Sequence, residues 1–373
     1  MKVALIASSY RPHPGALERH VERLAHGLAS HGVEVEVLTQ DLARGLPRVS
    51  KRDGVVVRRF AGSIGNAHTA VAPGLWQYLR RAARSFDVVD AHSSQLSLVL
   101  AVARAGARRL FLTPHGPVEQ LLRWPYVSAT SMLMQHAAQI VCSSRAQAAV
   151  LSRASASAAG RIRVLPKGVD VEPIQAAEPL PWGRSTVLSV GRLERYQRVD
   201  RAIAAMASID AGTQLVVVGQ GSLRRSLEAH ATDLLVSSRV KLVGALPDAA
   251  LYRWLRTARV LVTLAEEQTS GLQLLEALAA GVPAVASDIP AHREAASYAP
   301  GTSVRFVPPA GSPLELADAI CDAATLRVPP TTRTQLPTWD AVVEKTLALY
   351  EMATLSRPRP PGVRAVSARE RRG

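Results

Sequence analysis

Cysteine is scarce. The 373 residues hold two, Cys142 and Cys321, which excludes a disulfide framework and any cysteine-built zinc site. Each stands alone in an apolar context and reads as a small core residue. Aromatic residues make up only 4%, and no recognition module interleaves them with basic ones, so nucleic acid is not expected as a partner. No run approaches the roughly 18 apolar residues of a spanning helix. The opening VALIASS is too short for the apolar core of a signal peptide and reads as a first strand, so the cytoplasm is the expected compartment. Walker A, HExxH and a nucleophile elbow are all missing. No Asp-x-Asp pair stands at a strand end, so no metal is expected to be held there.

What is present is a globular composition, 47% hydrophobic and 20% charged, over a length that suits about two domains of roughly 150 residues. The formal charge of +15 is uneven. Residues 1–170 carry 22 Lys/Arg against 10 Asp/Glu, a surplus of +12, whereas residues 171–355 carry 17 against 19. One reading is compositional, since only five Lys stand beside 40 Arg. The other is a first half that meets something anionic: a membrane surface or a phosphorylated acceptor.

Short apolar runs alternate with amphipathic segments. KVALIAS (2–8), VEVEVLT (33–39), VVVRRF (55–60), DVVDAH (87–92), LFLTPH (110–115) and QIVCSS (139–144) read as strands. ALERHVERLAHGLASHG (16–32) reads as a helix, with Leu17, Val21, Leu24, Ala25 and Leu28 on one face and Gly32 as its stop. Residues 97–106 and 128–138 are further helices. The stretch 166–182 is proline-rich and without periodicity, and marks a domain boundary. The pattern then restarts, with strands in 185–191, 214–219, 240–244, 260–265 and 283–288 and helices between them. The expected fold is α/β, with two Rossmann-like doubly wound domains facing across a cleft. The expected domains are 1–170 and 171–337, followed by a crossover helix over 338–354 and a basic, disordered tail over 355–373.

In open parallel sheets ligands bind beyond the carboxyl ends of the strands. Helix N-termini there offer free N–H groups and partial positive charge, which suit a diphosphate. The segment AEEQTSGLQLLEALAAGVPAVASD (265–288) has this form: a strand, then a helix opening at Gly271. Glu276 sits on that helix among Leu274, Leu275 and Leu278, where a carboxylate needs a polar partner. A ribose diol is one such partner, and a solvated helix face is the plainer alternative.

The segment resembles the signature of the retaining glycosyltransferases of family 4, which have the GT-B fold. Glu276, Ala277, Ala279, Gly281 and Pro283 match that signature. Its first Glu, eight residues earlier, is here Gln268, with Glu266 and Glu267 just upstream. LSVGRLERYQRVD (188–200) is similar to the family's strand–Gly–Arg, placing Gly191 and Arg192. The family's usual Lys is here Gln197, so either Arg198 replaces that charge or the site runs with one cation fewer. SSYRPHPGALERH (8–20) resembles the family's Gly-Gly loop at Gly15 and Ala16. TPHG (113–116) places His115 where family members keep a His at the donor sugar, and His92 lies near the same cleft. LPKGVD (165–170) resembles the family's Pro-Asn-Gly-Val-Asp, with Lys167 in place of Asn. VGQGSLRR (218–225) matches the family's Gly-x-Gly turn and also mimics a dinucleotide fingerprint. Arg224 stands where the third Gly is required, so the dehydrogenase reading fails.

The resemblance implies transfer of a sugar from a nucleotide diphosphate sugar to a hydroxyl acceptor, with retained configuration. His115, Arg192 and Gln268 are the expected catalytic residues. Gly15, Ala16, Gly191, Arg192, Arg198, Gly271, Leu272 and Glu276 are the expected donor-binding residues. No metal and no cofactor are expected beyond the donor as co-substrate. The acceptor is lipid-linked, a polysaccharide or a small metabolite. The basic first half and the mixed loop VEQLLRWPY (118–126) motivate peripheral contact with an anionic membrane. The rival reading is a catalytically weak GT-B scaffold that binds a nucleotide sugar or a partner, motivated by Gln197 and Gln268.

Overall fold

The computed structural model describes residues 1–41, 45–62, 72–92, 106–116, 127–268, 270–299 and 303–355, apart from the side chains of residues 127–129, 132 and 331–333. The helix expected over 97–106, all but Gly106, lies outside these residues, as do the loop 118–126 and the tail beyond Leu355.

The first lobe is built on an eight-stranded sheet. Its strands are β1 (Lys2–Ala7), β2 (Glu34–Asp41), β3 (Val49–Arg52), β4 (Val55–Ala61), β5 (Val88–His92), β6 (Leu110–Thr113), β7 (Gln139–Cys142) and β8 (Ile162–Val164). Their order in space is β3-β4-β2-β1-β5-β6-β7-β8. The pairing is parallel except for β3, an unforeseen edge strand that turns back antiparallel onto β4. Parallel strands covered on both faces read as unbroken apolar runs. β1 shows why: Val3 and Leu5 pack with Val21, Leu24 and Leu28 of α1 (Ala16–Ser30). Ala4 and Ile6 face the other way, toward Leu75 and Leu79 of α2 (Pro73–Ala82). The described helices of this lobe also include α3 (Val127–His136) and α4 (Arg145–Ala154).

The second lobe carries β9 (Ser185–Val190), β10 (Thr213–Val218), β11 (Val240–Gly244), β12 (Val260–Thr263), β13 (Ala284–Ser287) and β14 (Val304–Val307). They form one parallel sheet in the doubly wound order β11-β10-β9-β12-β13-β14. The helices are α5 (Val171–Ala176), α6 (Val199–Ala205), α7 (Arg224–Asp233), α8 (Asp248–Thr257), α9 (Leu272–Ala280), α10 (Pro290–Ala296) and α11 (Pro313–Ala323). Two sequence expectations change. The stretch read as aperiodic contains α5, whose Ile174 is buried in the second core. Cys321 is exposed on α11 while only Cys142 is buried, because an isolated thiol in an amphipathic helix follows whichever face it falls on.

The last helix, α12 (Trp339–Leu355), returns to the first lobe. Val343, Leu349 and Tyr350 enter the core beneath β1 and α1. Tyr350 stacks edge-on against Phe111 at 4.9 Å, and its hydroxyl donates to Asp90 Oδ2 at 2.6 Å. Arg109 donates to the carbonyls of Ala353 and Thr354 at the helix end. Close approach of α12 to α1 depends on Gly27: a Cβ there would stand 2.4 Å from Val343 Cγ2. Gly27→Leu is therefore expected to destabilise by about 1–3 kcal/mol through overpacking. Adding Val343→Ala should return part of that loss in a thermal-melt double-mutant cycle. Additive effects would show that the two helices do not meet there.

Candidate functional site

The carboxyl ends of β9 and β12 lie side by side, since these strands are neighbours in the second sheet. After β9 the chain turns through residues 191–198, and after β12 it leaves the sheet through 264–268. Glu266 N–H donates to the Tyr196 carbonyl at 2.9 Å, tying the two turns together. Arg192 is exposed, lies over the Tyr196 ring, and donates from Nε to the Tyr196 hydroxyl at 2.9 Å. Arg198 has a left-handed backbone (φ 50°) and donates to Glu266 at 2.5 Å, with Asp200 at 3.3 Å on its other side. The Gly-x-Gly turn after β10 owes its composition to this loop. A Cβ on Gly219 would stand 1.7 Å from the Gly191 carbonyl oxygen.

Gly271 caps α9 with φ +54°, and a Cβ there would meet Ala295 at 2.7 Å and the Ala291 carbonyl at 3.1 Å. The glycine thus lets α9 open tightly against α10, leaving the first amides of α9 without intrahelical partners. Gln268 sits just before this opening. Its side chain reaches Gln273 at 3.0 Å and His292 Nε2 at 2.8 Å, while His292 Nδ1 lies 2.9 Å from the Ser287 carbonyl. Burial pushes the His292 pKa down to about 4, so the imidazole is neutral and carries the Gln268 amide as a fixed dipole.

Glu276 is 4% exposed and its partner comes from the other lobe: Arg19 of α1, itself 6% exposed. Around this pair the two lobes exchange further charges. Arg11 binds Glu22 and Asp248, Arg19 reaches Asp248 at 3.4 Å, and Arg23 meets Asp170 at 3.0 Å. Tyr252 donates to Asp170 at 2.6 Å. At the other end of the cleft, the Glu294 carboxylate accepts from the Arg145 and Ala146 amides at the start of α4. Burial opposes the Arg19 charge, yet Glu276, Tyr252, Asp248 and Asp170 together raise its pKa. Burial raises the Glu276 pKa, and Arg19 works against that rise.

In the first lobe Gly15 precedes α1, and Ser9 donates to Glu18 across the loop. His115 follows β6 and packs against His20 of α1 and His92 of β5. Lys167, after β8, is buried beside them. Burial first and Arg19 second push its pKa down to about 8, with Glu276 pulling the other way. Glu276 thus faces the opposite lobe, Arg192, Arg198 and Gln268 gather on one side of the cleft, and Gly15 and His115 stand on the other. The sequence singled out neither Arg19, Asp248 and Tyr252 nor His20 and His292, and it touched Asp170 only as the last residue of the LPKGVD match. The sole hint was the ERH run at the start of an otherwise ordinary amphipathic helix.

Two family models match the chain. One, described as glycosyl transferases group 1, covers residues 170–331; the other, described as Glycosyltransferase Family 4, covers residues 17–173. The chain belongs to glycosyltransferase family 4. It is a glycosyltransferase of the GT-B fold. A similar curated protein is D-inositol 3-phosphate glycosyltransferase 1 of Catenulispora acidiphila, 28% identical over 312 residues, 74% of this chain and 75% of that one. Another is the phosphatidyl-myo-inositol mannosyltransferase of Mycobacterium leprae, 27% identical over 339 residues, 86% of each chain. Among solved structures, sucrose-phosphate synthase from Thermosynechococcus elongatus superposes with a TM-score of 0.76 at 21% identity, covering 94% of this chain and 98% of that one. An Anabaena protein in complex with UDP and glucose gives 0.71 at 18% identity, covering 95% and 97%.

Removing one partner of a buried ion pair strands the other charge. Arg19→Met is therefore expected to cost about 3–5 kcal/mol, and Arg19→Met with Glu276→Leu to recover most of it, as read by urea denaturation. A second expectation concerns Lys167, whose folded pKa lies below its unfolded value near 10.5. Its buried charge costs stability at and below about pH 8, and the cost fades as pH rises from there toward the unfolded value. Lys167→Met should raise the unfolding free energy near neutral pH, by on the order of 3 kcal/mol at most, and the gain should shrink toward about pH 10 in denaturant titrations. A gain that is flat with pH would contradict this assignment.

Proposed function

We propose that this glycosyltransferase moves a sugar, with retention of configuration, from a nucleotide diphosphate sugar to a hydroxyl acceptor. The observation that carries the reading is the convergence at one cleft edge of the α9 N-terminus, the Arg192–Arg198 turn and Glu276. Residues 171–337 form the donor domain. Arg192 and Arg198 hold the diphosphate with the amides of Gly191, Gly271 and Leu272, and helix dipole and guanidinium stabilise the departing phosphate. Arg198 must release Glu266 to do so. Glu276 takes the ribose hydroxyls when the lobes part and Arg19 lets go. Gln268, held by His292, meets a sugar hydroxyl as a neutral dipole. Residues 1–170 form the acceptor domain, with Gly15 and Ala16 at the phosphate and His115 beside the sugar. The nucleotide diphosphate sugar enters as a co-substrate. The UDP and glucose bound to the Anabaena protein make UDP-glucose the first donor to try.

The acceptor is a phosphorylated or lipid-linked polyol at the cytoplasmic membrane face, in keeping with the named substrates of the two curated relatives. No helix among the described residues is long and apolar enough to cross a membrane. α2 instead offers a peripheral surface: Trp76 is 40% exposed, and Arg80, Arg81 and Arg84 are exposed beside it. An indole with neighbouring guanidinium groups suits an anionic interface.

A thermal-shift panel of UDP-, GDP-, ADP- and dTDP-sugars tests the donor. A binder at 100 times its dissociation constant should stabilise by about 2.7 kcal/mol. Donor hydrolysis should follow and be lost in Glu276→Ala. Binding without turnover, restored by Gln268→Glu with Gln197→Lys, would favour a non-catalytic scaffold. Vesicle binding should require anionic lipid, weaken with salt and fall in Trp76→Ala with Arg80→Ala and Arg81→Ala. Equal binding to neutral vesicles would remove the membrane reading.

A further inference from the structure

Three imidazoles from three separate elements converge in the first lobe: His20 from α1, His92 from the end of β5 and His115 from the turn after β6. One ligand nitrogen from each lies within 4.8 Å of the other two. His92 Nδ1 and His115 Nε2 are 3.1 Å apart, and the His20 ring centroid stands 4.8 Å from that of His115 and 5.4 Å from that of His92. In tetrahedral zinc geometry, with bonds of about 2.0–2.1 Å, two ligand nitrogens are separated by about 3.3 Å. The His92–His115 contact therefore already has the length of one edge of a coordination shell. A small swing of His20 closes the triangle.

We propose that His20, His92 and His115 bind one divalent transition metal of the zinc class, at a site distinct from the diphosphate position. Three observations support this. First, Nδ1 of the buried His20 ring is left without a hydrogen-bond partner, beside the point where His92 Nδ1 and His115 Nε2 meet at 3.1 Å. Buried polar atoms ordinarily find partners, so this orphan against two touching rings needs a reason. Second, the outer layer of a metal site is in place. Asp90 Oδ2 lies 3.3 Å from His92 Nε2, and the carboxylate is pinned by the Thr113 hydroxyl at 2.8 Å and the Tyr350 hydroxyl at 2.6 Å. A carboxylate behind a ligating imidazole fixes its tautomer and turns the other nitrogen's lone pair toward the metal. Third, the three rings line one cavity of about 20 Å³, which accommodates an ion with a single water.

The charges facing the cluster from other elements act in both directions. Asp90 favours a cation, and Arg19 is already committed to Glu276. Lys167 lines the same cavity and opposes a cation. On the far side His20 packs against the Trp339 indole at 5.3 Å, which shields the site from water. Bound metal would tie α1, β5 and the β6 turn into one unit at the strand ends. The His115 ring would then serve the metal, leaving its backbone toward the sugar.

The test uses the full chain, stripped with a chelator and titrated with ZnCl2 in a calorimeter. CoCl2 serves as a spectroscopic probe, because a tetrahedral cobalt site gives a visible ligand-field band. The expected result is one equivalent bound per chain. Affinity should fall about tenfold or more in each of His20→Gln, His92→Gln and His115→Gln, and not in the exposed control His31→Gln. Lys167→Met should tighten binding several-fold. Circular dichroism verifies that each variant is folded, and any two folded variants suffice. No uptake by the wild type, or uptake that survives all three substitutions, would overturn the proposal. Neither outcome depends on donor turnover, so this site and the transferase reading stand or fall separately.

Discussion

The contact between Arg19 and Glu276 organises the molecule. Each side chain is almost wholly removed from water, and each belongs to a different lobe. Desolvating a lone carboxylate or guanidinium costs several kcal/mol, so neither residue tolerates this position without the other. The pair sets where α1 meets α9, and with it the separation of the two sheets. Asp248, Asp170, Tyr252, Arg11 and Arg23 extend the same pairing outward along the seam. In the function proposed above Glu276 takes the ribose. On that proposal the contact that closes the cleft is one that a nucleotide displaces, which would couple donor entry to lobe movement.

Strand order explains why residues far apart in the chain share one edge. In the second sheet β9 and β12 are neighbours although some 70 residues separate them, so the arginine turn and the α9 opening share one rim. In the first sheet β1, β5 and β6 are neighbours, which brings α1, His92 and His115 together. Both rims lie at carboxyl strand ends, where an open parallel sheet leaves room for a ligand.

Much of this architecture was legible. Unbroken apolar runs such as VALIA and QLVVVG announced buried parallel strands, and Gly271, Gly191 and Glu276 marked the rim. The short edge strand β3 escaped because VSKR is half charged and buries none of its four residues, as an edge strand can. Helix α5 escaped because its six residues have a single buried anchor, Ile174. The partner of Glu276 was not legible at all. Hydrophobic periodicity records which face of α1 is buried, but not that an arginine on it crosses to the other lobe. The histidine cluster was hidden likewise: each residue alone looks like an ordinary strand-end or helix residue, and only topology gathers them.

The return of α12 has a consequence for biosynthesis. Tyr350 is fully buried beside residues of β1, and its hydroxyl completes the shell of Asp90. The first sheet is therefore translated before α12, yet its apolar face against α1 stays unsealed until that helix has left the ribosome. During that interval the nascent first lobe exposes the surface that Val343, Leu349 and Tyr350 later cover. The two lobes are thus separate in architecture but joined in assembly, and a chain shortened within α12 would leave the earlier-made sheet unfinished.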